Sequence, residues 1–265
     1  MKAIIRFFRQ RLNRAHTLHV VDHGGDGPVV IMLHGIASSS ANWDHLIPLL
    51  KSDYRCISID LLGFGQSPKP EHSDYTVEQH IQSIHRTIDA IGLRAPFTLI
   101  GHSLGSLLAT RYARMHPKRI NHLIILSPPV YLNPTHITDK GARRKTSAYL
   151  AAYRYIRTHE KFSMTTALRL TKILPFPSAL VLTKETWKPF IKSLEQCIEN
   201  QTIIEDIAHV RAPIDIFYGL FDQFIVQKNV KLLGALRNVS VHPVAVDHTV
   251  SKRYAASIAK VMRSS

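Results

Sequence analysis

The sequence predicts an α/β fold: a mostly parallel sheet flanked by helices, with a helical segment inserted late in the chain. Three observations predict it. Short apolar, β-branched runs alternate with stretches of helical periodicity, as expected of strands buried on both faces by crossover helices. Serine, aspartate and histidine follow the C-terminal ends of three of those runs, where a parallel sheet gathers its loops into a site. The alternation lapses between about residues 130 and 204, where helical stripes take over.

The first sixteen residues stand apart. Lys2, Arg6, Arg9, Arg11 and Arg14 occur with no acid before residue 20. At about 100° per residue, Met1, Ile4, Ile5, Phe8, Leu12 and Ala15 share one face while Lys2, Arg6 and Arg9 fall opposite, with Phe7 out of pattern. Residues 1–16 therefore read as a basic amphipathic arm. Such an arm can lie on an anionic membrane surface or pack on its own domain, and both readings stay open. Its arginines interrupt any apolar core, so it does not read as a secretory signal, and no run is long enough to span a bilayer. The cytoplasm is the expected location, with peripheral membrane contact through the arm.

Strands are expected near 18–22 and 28–33, the second as Val29-Val30-Ile31-Met32-Leu33 running into His34-Gly35-Ile36-Ala37. A helix near 41–51, a strand near 54–60 ending at Asp60 and a helix near 76–92 follow. Phe97-Thr98-Leu99-Ile100 opens the strand at 97–101. Leu104, Leu107, Leu108, Tyr112 and Met115 mark a helix over 104–116, which stops near Pro117 because proline cannot continue the hydrogen-bond ladder. A strand near 121–127 ends at Pro128-Pro129. After the insertion come strands near 212–218 and 239–246 and helices near 227–236 and 249–263. The expected division is a core of residues 17–130 and 205–265, a helical cap over 131–204, and the arm. With 45% apolar residues the chain can bury a substantial core, and Cys56 and Cys197 have neither a metal spacing nor a disulfide framework.

Between the strand ending near 101 and the helix beginning at Leu104 lies Gly101-His102-Ser103-Leu104-Gly105. A Gly-x-Ser-x-Gly run in strand–turn–helix context forces a sharp turn that projects the serine hydroxyl from the sheet edge, and the glycines are required where a Cβ would collide with neighbouring backbone. Ser103 is the candidate nucleophile. A serine hydroxyl needs a base and a group to orient that base. Asp222 follows the run Ile214–Tyr218 within Gly219-Leu220-Phe221-Asp222, and His248 follows Val239–Val246. They are the candidate acid and base. Asp215 lies inside a strand and reads as structural, Asp60 as a turn or packing residue, and Asp247 is adjacent to His248 and poorly placed to orient it. Gly35 permits a turn that aims the backbone N–H of Ile36 beside Ser103, and the N–H of Leu104 at a helix N-terminus supplies a second donor for an oxyanion. His34 reads as a loop-bonding, non-titrating ring.

With these residues in place the chain resembles the α/β-hydrolases of the esterase, lipase and haloperoxidase-like group. His34-Gly35-Ile36 is similar to that family's oxyanion loop, Asp60-Leu61-Leu62-Gly63-Phe64-Gly65-Gln66-Ser67 to its Asp-x-x-Gly-x-Gly-x-Ser loop, Gly101–Gly105 to its elbow, and Asp222 and His248 to its acid and base. Similarity covers 17–130 and 205–262 and fails over the middle. Asp247 stands where the family often has glycine. The resemblance implies a serine hydrolase acting on carboxylic esters through an acyl-enzyme, with no metal or organic cofactor. Relatives that dehalogenate haloalkanes or open epoxides place aspartate at the nucleophile position, which Ser103 excludes. Carbon–carbon bond hydrolysis, perhydrolysis, acyl transfer to another acceptor, and a non-catalytic ligand-binding module stay open as alternatives.

Within 131–204, Trp187, Phe190, Ile191, Leu194 and Ile198 recur at helical spacing, as do Tyr149, Tyr153 and Ile156, and Pro175 and Pro177 divide the helices. Such stripes packed over the catalytic edge would roof an apolar pocket, so the expected substrate is a small-molecule ester with an apolar acyl group. The net charge of +15 concentrates in the arm and in residues 130–200, where 12 Lys and Arg face 5 Asp and Glu. Without a nucleic-acid motif or a defined basic groove, a nucleic-acid partner is not expected.

Overall fold

The computed structural model describes residues 15–173 and 182–264, with side chains of 168–173 left aside. The N-terminal arm through residue 14 and the helix breaks at Pro175 and Pro177 lie outside the described residues.

Seven strands form one sheet: β1 (Val20–Asp22), β2 (Val29–Leu33), β3 (Arg55–Ile59), β4 (Phe97–His102), β5 (Ile120–Leu126), β6 (Ile214–Gly219) and β7 (Val239–Val244). Their order is β1-β3-β2-β4-β5-β6-β7, with β1 antiparallel to β3 and every other pair parallel. The two-residue repeat of a strand sends alternate side chains to opposite faces. Ile31, Leu33, Leu99, Ile125 and Ile216 face one side, and Val30, Met32, Ile100, Ile124 and Phe217 the other. Both sets are buried, which is why these runs read as continuously apolar rather than alternating.

The first face is covered by α2 (Val77–Ala90) and α3 (Leu104–Met115), through Ile81, Ile84, Ile88, Leu108 and Tyr112. Thr76 and Gln79 form a reciprocal capping box that fixes where α2 begins. The second face is covered by α1 (Ile47–Leu50) and α9 (Lys252–Ser264), through Ile47, Leu50, Tyr254, Ile258 and Met262.

The continuous helix expected over 41–51 is instead a 3₁₀ turn at Ser40–Trp43 followed by α1. Pro48 explains the break: inside a helix it would lack the N–H for the Asp44 carbonyl and crowd that carbonyl, whereas in the first turn of α1 it costs nothing. The helix expected over 227–236 is α8 (Gln227–Leu232) with a 3₁₀ turn at Leu233–Ala235.

Between β5 and β6 the chain forms α4 (Lys140–Thr158), α5 (Glu160–Ile173), α6 (Lys184–Ser193), a π-helical turn at Leu194–Glu199 and α7 (Ile203–His209). This segment rests on loops that leave the C-terminal ends of β3 and β6. A Cβ on Gly63 would meet the Pro189 ring, Cys197 Sγ lies 3.4 Å from the Tyr75 carbonyl, and Asn229 Nδ2 donates to the Val130 carbonyl at 2.9 Å. Trp187, Ile191, Leu194 and Ile198 are buried and Phe190 is partly so, which is the stripe read from their spacing.

Candidate active site

Ser103 occupies the turn between β4 and α3 with φ 52° and ψ −115°, a conformation rarely adopted by a residue with a side chain. Such strain costs on the order of 1–3 kcal/mol and persists only where the surroundings over-determine it. Here they do. A Cβ on Gly101 would lie 2.3 Å from the Gly105 carbonyl oxygen, and one on Gly105 would lie 2.2 Å from that of Leu33. Strand and helix can meet this closely only with glycine on both sides of the turn. The Ser103 N–H donates to the Leu126 carbonyl at 2.9 Å, anchoring the turn to the end of β5.

Two strands away, Gly219 lets the ends of β6 and β7 converge: a Cβ there would sit 2.5 Å from the carbonyl oxygens of Val246 and Asp247. The loops that follow bring Asp222 and His248 together, with Nδ1 of His248 donating to Asp222 Oδ2 at 2.7 Å. Asp222 is buried, and burial alone would raise its pKa. Hydrogen bonding and charge from His248 outweigh it, helped by the Ser127 hydroxyl and the Phe224 N–H, and hold the carboxyl below its ordinary value. The aspartate is therefore ionised at neutral pH, and its bond to Nδ1 leaves Nε2 as the lone-pair nitrogen of the neutral ring.

His102, inside the elbow itself, binds the His248 loop from the other side. Its Nε2 donates to the His248 carbonyl at 2.9 Å, and the two rings lie 4.8 Å apart between centroids. Burial, reinforced by the nearby His248, pushes the His102 pKa down to about 3, so the ring stays neutral. Its Nδ1 is buried with no hydrogen-bond partner among the described residues. The elbow and the histidine loop are thus tied directly. Among the described residues no hydrogen bond joins Ser103 Oγ to Nε2 of His248. Such bonds are often long without substrate and tighten in the complex.

The loop after β2 closes on the same point. A Cβ on Gly35 would lie 3.2 Å from both the Ser103 Cβ and His102 Nδ1, so Gly35 passes directly beside the serine. Neither the Ile36 N–H nor the Leu104 N–H is taken by a loop or turn hydrogen bond among the described residues. His34 holds the loop: its Nε2 accepts from the Leu61 N–H at 2.9 Å, so the proton is on Nδ1, which donates to the Gly35 carbonyl at 2.7 Å. Full burial lowers its pKa to about 4. Asp60 organises the neighbouring turns, accepting from the Ser40 N–H and hydroxyl and from the Gln66 N–H at 2.6–2.8 Å.

The remaining aspartates are committed elsewhere. Asp215 is clasped by Nε2 of His122 and of His242 at 2.7 and 2.5 Å on the second sheet face. Asp247 is exposed and accepts from the Thr249 N–H and hydroxyl, a local turn that occupies its Oδ1.

Over Asp222 sits a cluster of tyrosines. Tyr131 donates its hydroxyl to the Phe224 carbonyl at 2.6 Å and receives that of Tyr153, from α4, at 2.9 Å. Phe224 in turn donates its N–H to Asp222 Oδ1 at 2.8 Å and meets the His248 ring edge-on at 5.1 Å. The inserted helices are therefore hydrogen-bonded to the loop that carries Asp222. His102, Tyr131 and Phe224 were not visible as site residues: an aromatic beside a proline pair, or the variable position of an elbow, carries no spacing signal.

These features coincide with a known group of proteins. The chain matches the α/β-hydrolase fold family over residues 28–239 and belongs to it. It is 42% identical over 110 residues to the probable lysophospholipase BODYGUARD 2 of Arabidopsis thaliana, a stretch covering 40% of this chain and 23% of that protein. To the cis-3-alkyl-4-alkyloxetan-2-one decarboxylase of Shewanella oneidensis it is 33% identical over 137 residues, 51% of this chain and 43% of the relative. The chain thus spans less than half the length of either. A haloalkane dehalogenase loop variant from Bradyrhizobium elkanii shares the fold with a TM-score of 0.74 at 21% identity, over 95% of this chain and 94% of that one.

Proposed function

We propose that the protein is a serine hydrolase that cleaves carboxylic esters through an acyl-enzyme. The observation that carries this reading is the 2.7 Å bond between Asp222 and His248, formed at the sheet edge where the Ser103 elbow also ends. In the reaction, Ser103 Oγ attacks the ester carbonyl while Nε2 of His248 takes its proton. Asp222 keeps the ring in the correct tautomer and stabilises the imidazolium. The backbone N–H groups of Ile36 and Leu104 hold the tetrahedral oxyanion, each donor being worth roughly 3 kcal/mol of barrier. His248 then protonates the departing alcohol, and water repeats the cycle to release the acid.

Residues 131–204 act as a cap that roofs the site, and the aromatic surfaces of Tyr131, Tyr149 and Phe224 favour an apolar acyl group over a polar one. The buried positions of Trp187 and Ile191 and the tyrosine bonds to the Phe224 loop support this reading of the segment. Serine rather than aspartate at the elbow supports acyl transfer over dehalogenation, whatever the chemistry of individual relatives.

A series of p-nitrophenyl esters from acetate to palmitate tests the proposal. The expected result is a kcat/KM that rises by about fifteenfold for every two methylenes, at roughly 0.8 kcal/mol per buried methylene, until the pocket is filled. A flat profile would remove the apolar pocket from the account, and absence of turnover across the series would remove the ester.

A further inference from the structure

Of the nine large apolar side chains that are strongly exposed among the described residues, four fall between residues 220 and 232. Phe221 is 67% exposed, Leu232 62%, Phe224 57% and Leu220 43%. An exposed apolar residue is ordinary when single. A concentration of four in one short stretch, two of them phenylalanine, is not. Burial elsewhere in that stretch is normal, with Ile225, Val226 and Val230 in the core, so the segment is well packed and still presents these side chains outward.

Cations border this segment. Lys228, Lys231 and Leu232 lie at positions i, i+3 and i+4 of α8 and are all exposed. Lys228 pairs with Asp139, the residue capping α4, at 2.6 Å, which joins α8 to the start of α4. There, Lys140, Arg143 and Arg144 line an open cleft of about 470 Å³. None of these three, nor Lys231, has an acidic partner among the described residues. The nearby acids are spoken for: Asp222 is buried against His248, Asp139 is paired with Lys228, and Asp247 accepts from Thr249. Lys228, Lys231 and Leu232 line one cleft with Asp139 and Ala142, so the segment after β6 is apolar and net positive together, and Phe224 ties it to the candidate active site by meeting the His248 ring.

We propose that this face docks on an anionic lipid surface, with Phe221 and Leu232 inserting into the headgroup boundary and Lys231, Arg143 and Arg144 pairing with lipid phosphates. Phenylalanine and leucine beside lysine and arginine suit that boundary, where apolar atoms leave water while the charges stay among anions. A nucleic acid would use the same cations but has no use for exposed leucine. Binding by this face is measured without turnover, so it stands or falls apart from the ester reading.

The test is sedimentation of the full chain with vesicles of phosphatidylcholine alone or with about 30 mol% phosphatidylglycerol, enough to give the anionic surface potential that attracts basic segments. Two double variants are compared, Phe221→Ser with Leu232→Ser and Arg144→Glu with Lys231→Glu; none of the four is a proposed catalytic group, and the Phe221 N–H bond to the Val246 carbonyl is a backbone contact that serine keeps. The expected result is binding to the anionic vesicles only, weakened at high salt, with the partition coefficient lowered at least tenfold in each variant. Melting temperature and hydrolysis of a soluble short-chain ester serve as controls and are expected to stay unchanged. Equal binding by the variants and the native chain, or no binding by the native chain, overturns the proposal. So does a duplex DNA oligomer that binds as tightly as the vesicles while the Phe221/Leu232 variant loses affinity for neither.

Discussion

Replacing Ser103 by alanine is expected to lower kcat/KM toward a soluble ester by about 10⁵–10⁶-fold, the loss typical of removing the nucleophile from a triad that acts as a unit. The melting temperature should hardly move. Alanine keeps the Cβ, so the strained turn at φ 52° is neither relieved nor worsened, and the Ser103 N–H bond to the Leu126 carbonyl is a backbone contact that the substitution leaves in place. Steady-state hydrolysis of a p-nitrophenyl ester, with thermal unfolding alongside, checks both halves. Full activity in a folded variant would show that another group attacks the carbonyl.

Asp222→Asn carries the second large effect, a fall in kcat of about 10⁴-fold. The carboxylate accepts from Nδ1 of His248 and from the Phe224 N–H, on separate oxygens. An amide in its place satisfies only one of those donors with oxygen. If it turns its NH₂ to the ring, Nδ1 must become the acceptor and the proton moves to Nε2, the wrong tautomer for taking a proton from serine. The stability consequence has a definite sign. Because the folded carboxyl titrates below its ordinary value, its contribution is present above the unfolded pKa of about 3.9 and is lost as pH falls through the lower folded value. The asparagine variant should therefore be less stable than the native chain at neutral pH, with the difference narrowing in acid. Activity loss without that convergence would place the role of Asp222 outside its bond to His248.

How much of this was legible in the chain follows from where the physics is local. The inner strands could be read because they are buried on both faces, which forces apolar runs such as Val30–Leu33 and Ile214–Tyr218. The elbow could be read because glycine is required at 101 and 105 by backbone approach, a demand that shows in the sequence itself. Asp222 and His248 could be paired because parallel strands deliver their following residues to one edge. The broken helix at Ser40–Leu50 had its signal in Pro48, outweighed by apolar periodicity on both sides. Contacts between distant segments left no such trace. The bond from His102 to the His248 carbonyl spans 146 positions, that from Tyr131 to the Phe224 carbonyl spans 93, and the clasp of Asp215 by two histidines depends on strand register. Nothing in the local chemistry of those residues requires the partner they find.

The central claim is that Ser103 is made nucleophilic by His248 and Asp222, and covalent labelling reads that directly. Incubation with a fluorophosphonate probe followed by peptide mass spectrometry should find the phosphonyl group on Ser103 alone, added quickly in the native chain and far more slowly in the Asp222→Asn variant. Absence of label, or label on another serine at the same rate in both proteins, would contradict it.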